Sequence, residues 1–190
     1  KTVTKGIMIS SGVEIEIEGE KVILFILDTP GLFDMNLDQH SSVSIFGLIS
    51  LISSLTIYNI EKRVQEDDLE NLALFSEYSK LLNQENKLLQ DISILVRDFQ
   101  NFDDITYGTY NNYCDNYLDQ ILKNDNGNVT RDCITKTYNN ILLGCLPHPG
   151  FEVTKKEYKG SKNVLRENFK SYFNLYLKRI LNILDAKKIN

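Results

Sequence analysis

From Val13 to Ile17 the chain alternates apolar and acidic residues, with Val13, Ile15 and Ile17 set against Glu14 and Glu16. A period of two is that of a strand with one wet face. A short strand over Ile7 to Ser11 precedes it, and Gly19-Glu20 then turns the chain into Val22-Ile23-Leu24-Phe25-Ile26-Leu27, so the pattern predicts a hairpin. Because this last run is apolar throughout, it is expected inside the sheet with both faces covered. Ile92 to Val96 and Ile141 to Leu146 predict two further buried strands. The intervening segments read as helices over about Ser42 to Asn59, Gln65 to Asn83, Asn111 to Lys123 and Val129 to Asn140. The second of these carries Glu66, Asp67 and Asp68 in its first turn, where the helix dipole favours anions. The stripe Val164, Phe169, Phe173, Leu177, Ile180 and Leu184 predicts a last helix from Asn163 to Leu184, packed on the sheet. Apolar strands alternating with helices indicate an α/β sheet covered on both faces. In such sheets ligands bind outside the carboxyl ends of the strands.

Composition narrows the class. A chain of 190 residues, 42% hydrophobic and 25% charged, fits one globular domain over 1–190, without internal repeats or a Pro/Gly/Ser linker. The net charge of -5 leaves no basic stripe to offset phosphate repulsion, which excludes nucleic acid as a partner. Cys114, Cys133 and Cys145 are odd in number and lack CxxC spacing, which suits reduced thiols in a cytoplasmic protein better than a disulfide frame or a zinc site. Asn128-Val129-Thr130 reads as a helix start. The apolar stretch from Val43 to Tyr58 is broken by Ser44, Ser50, Ser53, Ser54 and Thr56 and is shorter than the ~20 residues of a membrane span, so a core helix is expected.

Candidate chemistry sits where the apolar runs end. Asp28-Thr29-Pro30-Gly31 closes the first run. An Asp-x-x-Gly there can place a carboxylate near a bound Mg²⁺ and leave a glycine N–H to sense a terminal phosphate, the logic of a nucleotide-triphosphatase switch. The same four residues are also ordinary turn chemistry. Arg97-Asp98 closes the second run and Pro147-His148-Pro149-Gly150 the third, so all three special segments are expected at the carboxyl edge of one sheet.

Taken in order, Thr4-Lys5-Gly6-Ile7, Asp28-Thr29-Pro30-Gly31, Leu95-Val96-Arg97-Asp98 and Pro147-His148-Pro149-Gly150 resemble the GTPase domain of the atlastin and guanylate-binding protein branch of the dynamin superfamily. The Arg-Asp pair is the distinctive mark. Tyr58-Asn59-Ile60, Val64 through Leu69 and Leu74 through Tyr78 resemble atlastins more closely than the soluble guanylate-binding proteins. The resemblance implies a P-loop GTPase-type three-layer α/β fold with helices on both faces of the sheet. It also implies a domain truncated at its N-terminus, since none of the ten glycines is followed by the lysine of a Gly-x-x-x-x-Gly-Lys-Ser/Thr loop.

Residue roles follow from the resemblance. GTP and GDP are the implied ligands and Mg²⁺ the implied cofactor, held by Thr4 and Asp28. Thr4 would also orient the attacking water, and Gly31 would contact the γ-phosphate through its N–H. Asp98 would accept from guanine N1 and N2, a donor pair adenine lacks, and Arg97 would lie near the base or steady its loop. His148, Pro149 and Gly150 would open the loop that caps the guanine, with Phe151 and Val153 as apolar cover. Pro30 departs from the polar residue usual in the family and would stiffen the switch. The implied partner is a second copy, in a homodimer formed through the GTPase domain. Membrane contact, for tethering and fusion at the cytosolic face of the endoplasmic reticulum, would come only through segments outside this chain. The competing reading is a degenerate homologue that kept the sheet, lost the phosphate loop and serves as a protein-interaction module.

Overall fold

Ile92, Ile94 and Val96 are buried on one face of their strand and Ser93 on the other, the condition of a strand covered on both sides. The computed structural model that gives this arrangement describes residues 6–17, 19–31, 39–82, 89–100, 102, 105–123 and 127–184. In chain order the elements are β1 (Met8–Ile9), β2 (Val13–Ile17), β3 (Glu20–Leu24), β4 (Leu27–Asp28), α1 (Gln39–Ile52), β5 (Leu55–Glu61) and α2 (Glu66–Leu82). There follow β6 (Asp91–Arg97), α3 (Tyr110–Leu122), α4 (Val129–Thr135), β7 (Ile141–Cys145) and α5 (Glu167–Leu181), with 3-10 turns at Phe151–Thr154 and Lys162–Val164.

The strands β5, β6 and β7 form a three-stranded parallel sheet in that order. Tyr58, Ile94 and Leu143 share one face, by the register Tyr58↔Ile94↔Leu143. On that face Phe46 of α1 meets the Tyr58 ring edge-on at 6.5 Å and stacks on Phe75 of α2 at 5.0 Å, and the Tyr58 hydroxyl donates to the Asp68 carbonyl at 3.2 Å. The opposite face receives α5. There the Tyr176 and Ser93 hydroxyls share a buried hydrogen bond of 2.9 Å, and the Tyr176 ring lies against Gly144. Helices therefore cover both faces, as the resemblance implies.

Several helix boundaries follow the sequence. Asn128 caps α4, its side-chain oxygen accepting from the Arg131 N–H at 3.1 Å. The acidic first turn of α2 is present, and the Asp68 carboxylate accepts from the Gln65 N–H at 2.9 Å. Glu66 pairs with Arg131, whose hydrogen bond holds the Glu66 carboxyl below its ordinary range. All three cysteines are free thiols. Burial and the Glu77 carboxylate, which accepts from its Sγ, push the Cys133 thiol up to about 11. Among the described residues no helix is long and apolar enough to cross a membrane.

Other expectations are corrected. The predicted helix from Ser42 to Asn59 is two elements, α1 and then β5. After Ser53-Ser54 the period drops to two, with Thr56, Tyr58 and Ile60 buried and Ile57, Asn59 and Glu61 exposed. The helix predicted to reach Asn140 ends at Thr135, because Leu89 takes the next residues into a bridge with Tyr138. Its N–H donates to the Thr137 carbonyl at 2.7 Å and its carbonyl accepts from the Asn139 N–H at 3.0 Å. The last helix runs from Glu167 to Leu181, with Val164 left in the preceding 3-10 turn.

The largest correction concerns Val22 to Leu27. This run is not inside the parallel sheet: β3 pairs with β2 in a separate antiparallel hairpin, and β4 pairs with β1. Ile23, Phe25 and Ile26 are 65%, 53% and 62% exposed. The hairpin closes through Gly19 at a φ of +85°, with the register Ile17↔Glu20 to Val13↔Leu24. A local pairing closed by so short a loop loses far less chain entropy than a distant crossover, and it takes up the ladder groups of β3 on that edge. The first strand is likewise shorter than expected, paired only over Met8–Ile9 and prolonged by the Ser10 N–H donating to the Ile26 carbonyl at 2.9 Å.

Candidate functional site

At the carboxyl edge of the parallel sheet the three strand exits are bonded to one another. The Lys62 N–H donates to the Arg97 carbonyl at 2.8 Å, joining the end of β5 to that of β6. The Leu146 N–H donates to the Val96 carbonyl at 2.8 Å, and the Phe99 N–H returns to the Leu146 carbonyl at 3.0 Å, joining β6 to β7. Between these bonds Asp98 adopts a left-handed backbone with φ of 55°, and Lys62 does so at 67°. Aspartate is one of the few non-glycine residues that tolerates this region, whereas lysine is not. Two such residues at neighbouring strand exits concentrate strain at this edge, a condition that recurs at functional sites.

Arg97 organises the charges here. Its Nη1 lies 3.1 Å from Asp98 Oδ2 and its Nη2 3.6 Å from Glu61 Oε2, while Lys62 Nζ lies 3.4 Å from Glu61 Oε1. The Arg97 side chain is half exposed, so these pairs add about 0–1 kcal/mol each and act chiefly to orient. Asp98, with its side chain 20% exposed, offers a carboxylate whose Oδ1 carries no hydrogen bond among the described residues. A carboxylate held by one oxygen still has lone pairs for a ligand with two adjacent N–H donors.

The exit of β7 leads into the second half of the site. Cys145, Leu146 and Pro147 are buried. The Tyr110 hydroxyl of α3 supports this exit by donating to the Cys145 carbonyl at 3.0 Å. Burial pushes the Tyr110 hydroxyl far above the usual tyrosine range, so it remains a donor. The hydrogen bond to Cys114, together with burial, pushes the Cys145 thiol up in the same way. Beyond Pro147, the His148 Nδ1 accepts from the Gly150 N–H at 3.0 Å, which leaves the ring proton on Nε2. The His148 ring lies 5.1 Å from that of Phe151, inclined by 41°. Gly150 sits at a φ of +121°, closed to other residues, and allows the loop to turn back. Val153 is half-buried in the 3-10 turn that follows.

The structure thus gathers Arg97, Asp98, His148, Pro149, Gly150, Phe151 and Val153 at one edge of the sheet. It does not bring Asp28 and Gly31 onto that sheet: Asp28 is exposed on β4 in the two-stranded sheet and Gly31 is exposed beyond it, with Pro30 buried between them. The expectation of three special segments on one sheet edge is corrected to two, for the hairpin reason given above. Thr4 lies outside the described residues. Among the described residues no group of three or more His, Cys, Asp or Glu is placed to hold a metal ion. A cavity of about 380 Å³ is lined by Phe102, Ile105, Thr106, Tyr107, Asn168 and Tyr172, from the loop after β6 and from α5.

Two residues of the site escape the sequence reading. Glu61 holds Arg97 from the neighbouring strand, and Arg166 lies over Phe151 from the start of α5. Alternation from Thr56 to Ile60 was the available signal for Glu61; Arg166 has none, since its approach depends on how the chain returns after Gly150.

Comparison with known proteins shows the family. The model of the guanylate-binding protein N-terminal domain matches residues 1–189. Atlastin-1 of Rattus norvegicus is 34% identical over 200 aligned positions, which cover 98% of this chain and 35% of the relative. Atlastin-3 of Homo sapiens is 32% identical over 182, covering 90% of this chain and 33% of the relative. The chain belongs to the guanylate-binding protein N-terminal domain family, within the atlastin and guanylate-binding branch of the dynamin-superfamily GTPases. It spans about a third of the length of these curated relatives.

Proposed function

We propose that this chain is the base-reading part of a GTP-binding and GTP-hydrolysing domain in an atlastin-like large GTPase. The observation that carries the reading is Asp98, a carboxylate on a strained strand exit, oriented by Arg97 and Glu61 and flanked by the His148 to Phe151 loop. Guanine presents N1–H and N2–H to one carboxylate, and a cap formed by His148, Pro149, Gly150, Phe151 and Val153 excludes water from those two bonds. Burial of the base edge strengthens them relative to their value in water. Adenine brings no such donor pair, so it would leave the Asp98 carboxylate unpaired. Because His148 Nδ1 is occupied by the Gly150 N–H, the ring serves packing and loop shape in this reading, not proton transfer.

Asp28 and Thr4 are assigned to Mg²⁺, and Gly31 to the γ-phosphate. The donor set, a carboxylate and a hydroxyl, consists of hard oxygens, and Mg²⁺ bound with a nucleotide takes its remaining ligands from phosphate and water, so a cluster of protein ligands is not required. When bound, the ion neutralises charge on the phosphate oxygens. The chain holds no Gly-x-x-x-x-Gly-Lys-Ser/Thr loop. The reading therefore assigns the phosphate cradle to sequence outside these 190 residues. Nucleotide-dependent pairing of two such domains, and tethering and fusion at the endoplasmic reticulum through segments outside this chain, complete the proposal. The similarity to atlastins supports it.

The test is phosphate release from GTP by the full-length protein. Release is expected in Mg²⁺ buffer and should fall to background when the metal is chelated and return when Mg²⁺ is restored. No release with Mg²⁺ present would favour the non-hydrolysing interaction module instead.

A further inference from the structure

Arg166 is the N-cap residue of α5, with an extended backbone and no side-chain capping hydrogen bond. That position favours Ser, Thr, Asp or Asn, and the positive end of the helix dipole disfavours a cation. An arginine here therefore does not serve its own helix. Among the described residues it forms no ion pair either. What it contacts is the loop after β7. Its N–H donates to the Pro149 carbonyl at 2.9 Å, and its Cζ lies 5.5 Å from the centre of the Phe151 ring. A Cβ on Gly150 would stand 3.5 Å from Arg166 Cγ, so loop and side chain are in direct contact. Phe151 is 70% exposed and its ring meets His148 beyond it. Arg166 and His148 therefore both touch the Phe151 ring, and Arg166 does so from the start of a helix.

We propose that Arg166 is a positioning residue for nucleotide binding: its guanidinium holds Phe151, and through it the His148 loop, closed over a bound purine base. The inference rests on the guanine-nucleotide reading above. A cation lying over an aromatic face restrains the ring, and Phe151, 70% exposed, keeps ring surface open to a planar ligand. Lysine carries the charge but lacks the flat guanidinium that stacks, so it replaces arginine only in part.

The test measures dissociation of a ribose-labelled fluorescent GDP from the full-length protein carrying Arg166→Ala, Arg166→Lys, Phe151→Ala or both alanines. Arg166→Ala is expected to speed release about twofold to fivefold, the range of an exposed cation–aromatic contact, with Arg166→Lys between it and the wild type. KM for GTP should rise while kcat is unchanged, a split that mere loosening of α5 would not produce. The Arg166→Ala, Phe151→Ala double variant should release no faster than Phe151→Ala alone. An unchanged release rate in Arg166→Ala, or additive effects in the double variant, would overturn the proposal. Failure of the wild type to bind the labelled GDP would instead count against the nucleotide reading itself.

Discussion

Gly144→Val is expected to lower the thermal unfolding temperature of the domain by about 10 °C. Gly144 lies on β7 beneath α5, and a Cβ there would stand 2.3 Å from Cδ2 and 2.5 Å from Cε2 of Tyr176. The ring cannot swing clear, since Tyr176 is 1% exposed and its hydroxyl is bonded to the fully buried Ser93 at 2.9 Å. Overpacking a core costs about 1–3 kcal/mol and sometimes more, and breaking the Tyr176–Ser93 bond strands buried hydroxyls at about 1–3 kcal/mol. A combined loss of about 3 kcal/mol or more shifts a domain of this size by about 2–4 °C per kcal/mol. Scanning calorimetry reads the shift. Combining Gly144→Val with Tyr176→Ala makes room for the new side chain, so the double variant should be more stable than the sum of the two losses allows.

Asp98→Asn should invert nucleotide preference. Each hydrogen bond to a charged acceptor contributes about 1.5–3 kcal/mol, and the asparagine amide turns one of the two acceptors facing guanine into a donor. Affinity for GTP in the full-length protein should fall about a hundredfold, as two charged bonds are replaced by one neutral bond and a clash of donors. Xanthosine triphosphate, whose O2 accepts where guanine N2 donates, should gain. Titration of both nucleotides against wild type and variant checks this, and an unchanged ranking would remove Asp98 from the base site.

Local signals proved legible and relational ones did not. The Asn128 cap, the acidic turn at Glu66 to Asp68 and the Arg97-Asp98 strand exit each depend on residues adjacent in sequence, and each is found where the pattern puts it. Val22 to Leu27 reads as a buried strand because it is apolar at every position, yet its company is decided by the nearest partner, β2, and three of its neighbourhood's large side chains remain exposed. Serines within an apolar stretch hid the break between α1 and β5, because a helix and a strand can share the same composition and differ only in period. Glu61 was lost with that break. Arg166 stands fifteen positions after Phe151, and only the turn at Gly150 and the bond to Pro149 bring them together.

Competitive displacement of fluorescent GDP from the full-length protein bears most directly on guanine recognition. At saturating Mg²⁺, unlabelled GTP and GDP should displace the probe while ATP at the same concentration leaves it bound. Equal displacement by ATP, or a probe that never binds, would contradict the assignment of Asp98 and its loop as a guanine-reading site.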